Sequence, residues 1–150
     1  MDEARKRIDL NGEFRFKVDA KGRMSLPSKF RKSLAEDLVV TPDLDSEHLM
    51  VFEERDFNDW VESLFVDRYG GFHPSNAKHL NMRRALKARS FNVEVDSAGR
   101  ILLPADQRAL AHIDRDVVIV GNTGYFEVWD AKRYGEKSAQ VDLTELLVRQ

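Results

Sequence analysis

Val18-Asp19-Ala20-Lys21-Gly22-Arg23-Met24-Ser25-Leu26-Pro27 is answered 77 positions later by Val95-Asp96-Ser97-Ala98-Gly99-Arg100-Ile101-Leu102-Leu103-Pro104. The match continues outward, with Phe14 aligned to Phe91, Arg31 to Arg108, Val51 to Val128, Phe52 to Trp129 and Phe57 to Tyr134. Self-similarity at a fixed offset marks a duplicated supersecondary unit. Leu38-Val39-Val40 corresponds to Val117-Val118-Ile119 at an offset of 79, so the first copy carries the longer hairpin loop, where insertions are tolerated.

Within each copy the pattern runs strand, turn, strand, helix. Phe14, Phe16 and Val18 alternate with Glu13, Arg15 and Lys17, the period of a strand with one buried face. Aspartate bonds its own backbone two residues on, and glycine supplies positive φ, so Asp19 to Gly22 predicts a tight hairpin turn with Arg23 opening the return strand. Pro27 pre-sets a first helical turn, which predicts a short helix from Ser28 to Leu34, repeated from Pro104 to Ala111. Further strand pairs are expected at Leu38–Thr41 with Leu49–Phe52, and at Val117–Val120 with Tyr125–Trp129.

Phe57, Trp60, Val61, Leu64 and Phe65 fall on one helical face, and Gly70-Gly71 ends that helix. A mostly polar helix is expected from Asn76 to Arg89. Leu143, Leu146, Leu147 and Val148 are spaced for one or two amphipathic turns, which would fray unless docked, for example on a neighbouring subunit.

These elements predict an α+β fold with a mainly β core: repeat one over 12–67, a helical linker over 74–89 and repeat two over 90–137, in a single unit 12–150 preceded by an extension, 1–11. Four short strands per copy need further cover. Interlocking the copies about a pseudo-twofold axis into a closed barrel would supply it, removing free edges and placing both turns on one rim, with Phe52 and Trp129 as barrel packing.

The chain has 150 residues and a net charge of −2, but its charge is unevenly placed. Residues 14–33 hold Arg15, Lys17, Lys21, Arg23, Lys29, Arg31 and Lys32 against Asp19 alone, whereas the matching stretch has Arg100 and Arg108 against Glu94, Asp96 and Asp106. Such asymmetry speaks of partners rather than fold. Lys78, Arg83, Arg84, Lys87 and Arg89 form a second basic run, which the acids of 53–67 would neutralise within a helical hairpin.

With no cysteine, disulfides and thiolate metal sites are ruled out. No run reaches the roughly 20 apolar residues of a membrane span, and the start lacks the apolar stretch of a secretion signal, which together predict a soluble cytoplasmic protein. His48, His73, His79 and His112 show no metal-ligand spacing, and no nucleophile elbow, phosphate loop or dinucleotide fingerprint is present. A non-enzyme without cofactor, metal or small-molecule substrate is expected.

The Val-Asp-x-x-Gly-Arg-x-x-x-Pro-x-x-x-Arg pattern resembles the hairpin of AbrB-like DNA-binding proteins. Its double occurrence, with Phe126-Glu127-Val128-Trp129-Asp130 near the end, resembles the MraZ family from about Gly12 to Tyr134. That resemblance implies a double-split β-barrel made of two AbrB-like repeats, closed rings of identical subunits, and nucleoid-associated regulation of the bacterial division and cell-wall gene cluster. It further implies binding of double-stranded DNA at short tandem repeats upstream of the chain's own gene. By the same resemblance, Asp19 with Arg23 and Asp96 with Arg100 occupy the DNA-binding motif.

The residues themselves leave two readings of those pairs. A guanidinium fork on Arg23 can take guanine O6 and N7 together, a contact contributing about 1–3 kcal/mol of discrimination, or grip phosphate, with Lys21 beside it on phosphate and Arg15 in the wider basic footprint for DNA. Alternatively each aspartate and arginine only fix their own turn. Phe57, Trp60 and Phe65 read as core or subunit interface rather than a stacking platform. Repression is the expected sign, by competition with polymerase, and the alternative is a ring-forming scaffold for protein partners.

Overall fold

The computed structural model describes residues 7–148. In chain order, repeat one contains strand β1 (Glu13–Lys17), β2 (Arg23–Ser25), helix α1 (Ser28–Arg31), β3 (Asp37–Pro42), β4 (Leu49–Glu53) and α2 (Glu54–Tyr69). After α3 (Ala77–Ala88), repeat two contains β5 (Phe91–Glu94), β6 (Arg100–Leu102), α4 (Ala105–Leu110), β7 (Asp116–Gly121), β8 (Phe126–Asp130) and α5 (Ala131–Ser138). A 3-10 turn, Leu143–Leu146, follows.

Six strands form one antiparallel sheet in the order β1-β7-β8-β4-β3-β5, and β2 pairs with β6 in a separate two-stranded ribbon. Exchanging the repeats reverses the sheet order onto itself. The axis of that exchange passes between Met50 and Glu127 in the sheet and between Met24 and Ile101 in the ribbon, each pair being both cross-strand partners and repeat equivalents.

Two expectations are corrected. The sheet does not close: β1 and β5 lie at its opposite ends and do not pair with each other. Nor is Asp19–Gly22 the tip of an ordinary hairpin, because β1 pairs with β7 while β2 pairs with β6, and the turn's two arms are joined at their base by the Val18–Met24 bridge and the Asp19 N–Arg23 O bond (2.9 Å). The cause is local. Beyond Val18 and Val95, whose amides donate to the carbonyls of Arg115 and Glu36 (2.8 Å each), the turns carry the chain off the sheet edge and leave β2 and β6 only each other to pair with.

Alternation sorts the central strands onto two faces. Leu38, Val40, Leu49, Val51, Val117, Ile119, Phe126 and Val128 face an inner core completed by Met24 and Ile101 of the ribbon and Phe30 of α1. Val39, Met50 and Phe52 face outward beneath Phe57, Val61 and Phe65 of α2. Cover on both faces explains why the β3 and β4 sequences read as unbroken apolar runs. Phe52, expected inside a barrel, therefore lies on the helix-covered side, and Trp129 stacks on His48 with ring centroids 4.5 Å apart.

Helix α2 begins with Glu54 and Asp56 in its first turn, favourable to the helix dipole, and ends at Gly70 with φ of 79°. The side chain of Asn76 caps α3, accepting from the His79 amide (3.1 Å). Of the basic run 78–89, Arg83 pairs with Glu62 of α2 (3.0 Å) and lies over the Phe72 ring, Lys87 bonds Asn58, and Arg89, just past the end of α3, donates to the carbonyls of Pro42 and Asp43. The expected neutralisation is thus partial.

Leu10 is buried in the inner core, its amide donates to Asn122 (3.1 Å), and its carbonyl fills the space a Cβ on Gly121 would need. Residues 1–6 lie outside the described residues.

Candidate nucleic-acid interface

The two turns are built alike, bond for bond. Asp19 Oδ1 accepts from the amides of Lys21 and Arg23, and Asp96 Oδ1 accepts from those of Ala98 and Arg100, all at 2.9 Å. Gly22 and Gly99 take φ of 85° and 78°, the left-handed conformation that glycine adopts without steric cost. Both carboxyls are held below the ordinary 3.8, above all by the backbone N–H of Arg23 on Asp19 and of Arg100 on Asp96. Each carboxylate thus fixes the backbone of its own turn.

The turns also lock each other. Leu26 N donates to Gly99 O (2.9 Å) and, by the same symmetry, Leu103 N donates to Gly22 O (2.8 Å). Arg31 and Arg108, equivalent positions in α1 and α4, reach across to the opposite repeat: the Arg31 guanidinium fills the place of a Cβ on Gly99, and that of Arg108 crowds Gly22. Arg108 is fixed further by its Nε bond to Leu103 O (2.9 Å). In the sequence Arg31 and Arg108 stand out only as matched positions of the two repeats and as part of their charge balance. Their identical spacing from the turn in both copies was the available signal.

In the ribbon Arg23 stands opposite Leu102, Met24 opposite Ile101 and Ser25 opposite Arg100. Paired residues share a face and neighbours along a strand alternate. Met24 and Ile101 are buried beneath, so Arg23, Ser25, Arg100 and Leu102 make up the outward face. Both turn arginines thus project from one surface, as the symmetry argument required, without a closed barrel.

They are not equally available. Arg100 donates from Nε to Asp96 Oδ2 (3.3 Å) and reaches across the axis to Asp19 Oδ2 (3.6 Å), tying the repeats together. With both carboxylates engaged by Arg100, Arg23 makes no side-chain hydrogen bond or ion pair among the described residues. Lys21 is exposed and likewise without such a partner among them.

Arg15 stands on the solvent side of β1, paired with Glu13 at 3.6 Å, and four residues of strand place it roughly 13 Å from the turn, so the structure does not bring it to the ribbon. Lys17 is nearer, lining a groove of about 660 Å³ with Asp19, Arg108, Asp114 and Arg115. Among the described residues no cluster of histidine and carboxylate side chains could hold a metal ion, and no helix is long and apolar enough to cross a membrane.

A sequence model of the family described as "MraZ protein, putative antitoxin-like" matches residues 10–67 and 87–146, one segment per repeat. The chain belongs to the MraZ family. Proteins named transcriptional regulator MraZ are similar over most of their length. That of Symbiobacterium thermophilum is 39% identical over 86% of this chain and 89% of its own, and that of Lachnoclostridium phytofermentans 38% identical over 85% of each. The one from Mycoplasmoides gallisepticum is 32% identical over 82% of each. The family segments begin at Leu10, in keeping with its place in the MraZ core, and leave out most of α3.

Proposed function

We propose that this MraZ chain is a sequence-specific DNA-binding transcription regulator that reads duplex DNA with the outward face of the β2–β6 ribbon. One observation carries the reading: Arg23 stands on that face with no side-chain hydrogen bond or ion pair among the described residues, while its twin is engaged by two carboxylates. A two-stranded β-ribbon fits the major groove, where a guanidinium fork matches guanine O6 and N7. Arg23 is the base-reading group and Lys21 beside it takes phosphate. Arg15, Lys17 and their basic neighbours give longer-range attraction. Asp19 and Asp96 hold the turns in shape, and Arg100 is chiefly a tie between repeats with a secondary share in binding.

One ribbon offers few contacts, so affinity comes from several subunits engaging tandem repeats together, which raises effective concentration without new chemistry. A ring of such subunits upstream of the chain's own gene, in the division and cell-wall cluster, would exclude polymerase and repress. Its place of work is then the cytoplasmic nucleoid. The names of the relatives support the regulatory role.

The test is a titration of the upstream duplex from 50 to 200 mM salt with the native chain and Arg23→Ala. Counterion release predicts a steep fall in affinity with salt, and the substitution should weaken binding at every salt. A salt-independent interaction that Arg23→Ala leaves unchanged would favour a protein scaffold instead.

A further inference from the structure

Of the side chains on the outward face of the ribbon, Arg23, Ser25 and Arg100 are polar and Leu102 is not. Leu102 is 37% exposed, whereas the other three are half-buried, so an apolar group is the most open one on a face built for polar contacts. Among the described residues it is the one large exposed hydrophobic on either ribbon strand.

The fold does not call for a leucine at that place. Its repeat equivalent is Ser25, while the flanking equivalents stay apolar and buried in both copies, Met24 with Ile101 and Leu26 with Leu103. The flanking positions carry the packing, and the twin shows that the outward one accepts a hydroxyl. Packing within the chain thus accounts for Ile101 and Leu103 and leaves Leu102 unexplained.

Its neighbour supplies the reason. Leu102 is the direct cross-strand partner of Arg23. Opposed residues on one face of an antiparallel pair hold their Cβ atoms about 4.5–5.5 Å apart, and bases along a DNA strand rise roughly 3.4 Å, so a ribbon that sets Arg23 on one base pair brings Leu102 over the next. A leucine side chain has no hydrogen bond to give to phosphate or to a base edge. The group it matches in the major groove is the C5 methyl of thymine, and the minor groove presents no methyl at all. We infer that Leu102 is a specificity-determining residue, seated against the C5 methyl of a thymine one base pair from the guanine that Arg23 takes. Ser25, the partner of Arg100, has no apolar group of this kind, so the ribbon reads an ordered two-base step and not a symmetric one. The inference rests on the major-groove reading proposed above and adds a second base to it.

The test replaces thymine by deoxyuridine in the upstream duplex, one position at a time, which removes the methyl and keeps every hydrogen-bonding group. Affinity at fixed salt is measured for the full native chain, for Leu102→Ala and for Leu102→Ser, which installs the residue of the twin, with circular dichroism to check that each variant folds. In the native chain one thymine beside a guanine should be sensitive, with a loss of about four-fold for the single methyl, and both variants should bind the thymine and uracil duplexes alike. A native chain indifferent to every replacement overturns the inference, as does a variant that keeps the native preference for thymine. Arg23→Ala is measured alongside. Binding that it leaves unchanged on both duplexes would count against the major-groove reading itself, whereas binding that it weakens, with no thymine preference in the native chain, would strike the role of Leu102 alone.

Discussion

The two turns make the same aspartate hydrogen bonds, all at 2.9 Å, yet their arginines lead different lives. Arg100 spends its guanidinium on Asp96 and Asp19, while half-buried Arg23 makes no side-chain hydrogen bond or ion pair among the described residues. The duplication has preserved the groups that set shape and released those that set charge. That division is what physics permits: a turn needs its aspartate and glycine whatever surrounds it, but a surface charge costs the fold little to change.

The comparison breaks first, if it breaks, in the core. Met24 and Ile101 sit on the symmetry axis, both buried, so Met24→Ala and Ile101→Ala should each lose about 2–5 kcal/mol in urea melts and by similar amounts. Sharply unequal losses would mean that the axis holds for the backbone only.

Next come the arginines, where inequality is expected. Arg23→Ala should weaken duplex binding by about 1–3 kcal/mol and relax specificity at one base position. Arg100→Ala should cost binding less but lower the melting temperature more, since it removes the tie between repeats. Equal binding losses from the two would erase the functional contrast drawn between them.

Lys21→Ala should act more evenly, weakening binding alike on matched and scrambled duplexes and reducing the salt slope by about 1. The second repeat offers no counterpart, having Ala98 at that place.

The smallest effect concerns pH. Asp19 and Asp96 have folded-state pKa values below the ordinary 3.8, so the stability they contribute is complete above 3.8 and is lost as pH falls through the lowered folded values. Urea melts between pH 6 and pH 2 should show Asp19→Asn and Asp96→Asn converging on the native chain at the acid end. A gap that stays constant with pH would mean that the charge on the carboxylate is immaterial.

Much of this was legible in the sequence, because turn chemistry is local. Asp-x-x-Gly fixed the turn, the period of two fixed β1, and Phe57, Trp60, Val61, Leu64 and Phe65 fixed α2. Pairing was not legible, since nothing in β2 says whether its partner is the strand just before it or its counterpart one repeat away. That ambiguity produced the hairpin and the closed barrel. Which arginine would capture the shared carboxylates was equally hidden, as both lie four residues from an aspartate and three-dimensional competition decides between them. Leu10 escaped because a single apolar residue in a polar stretch carries no period.

The crossed pairing of β2 with β6 has a consequence for how the polypeptide can be divided. Each half completes its inner layer with a strand borrowed from the other, so a chain severed between Gly71 and Asn76 should give fragments that are unstructured when expressed apart and regain the sheet only on mixing. Such complementation would make the molecule a heterodimer of its own halves.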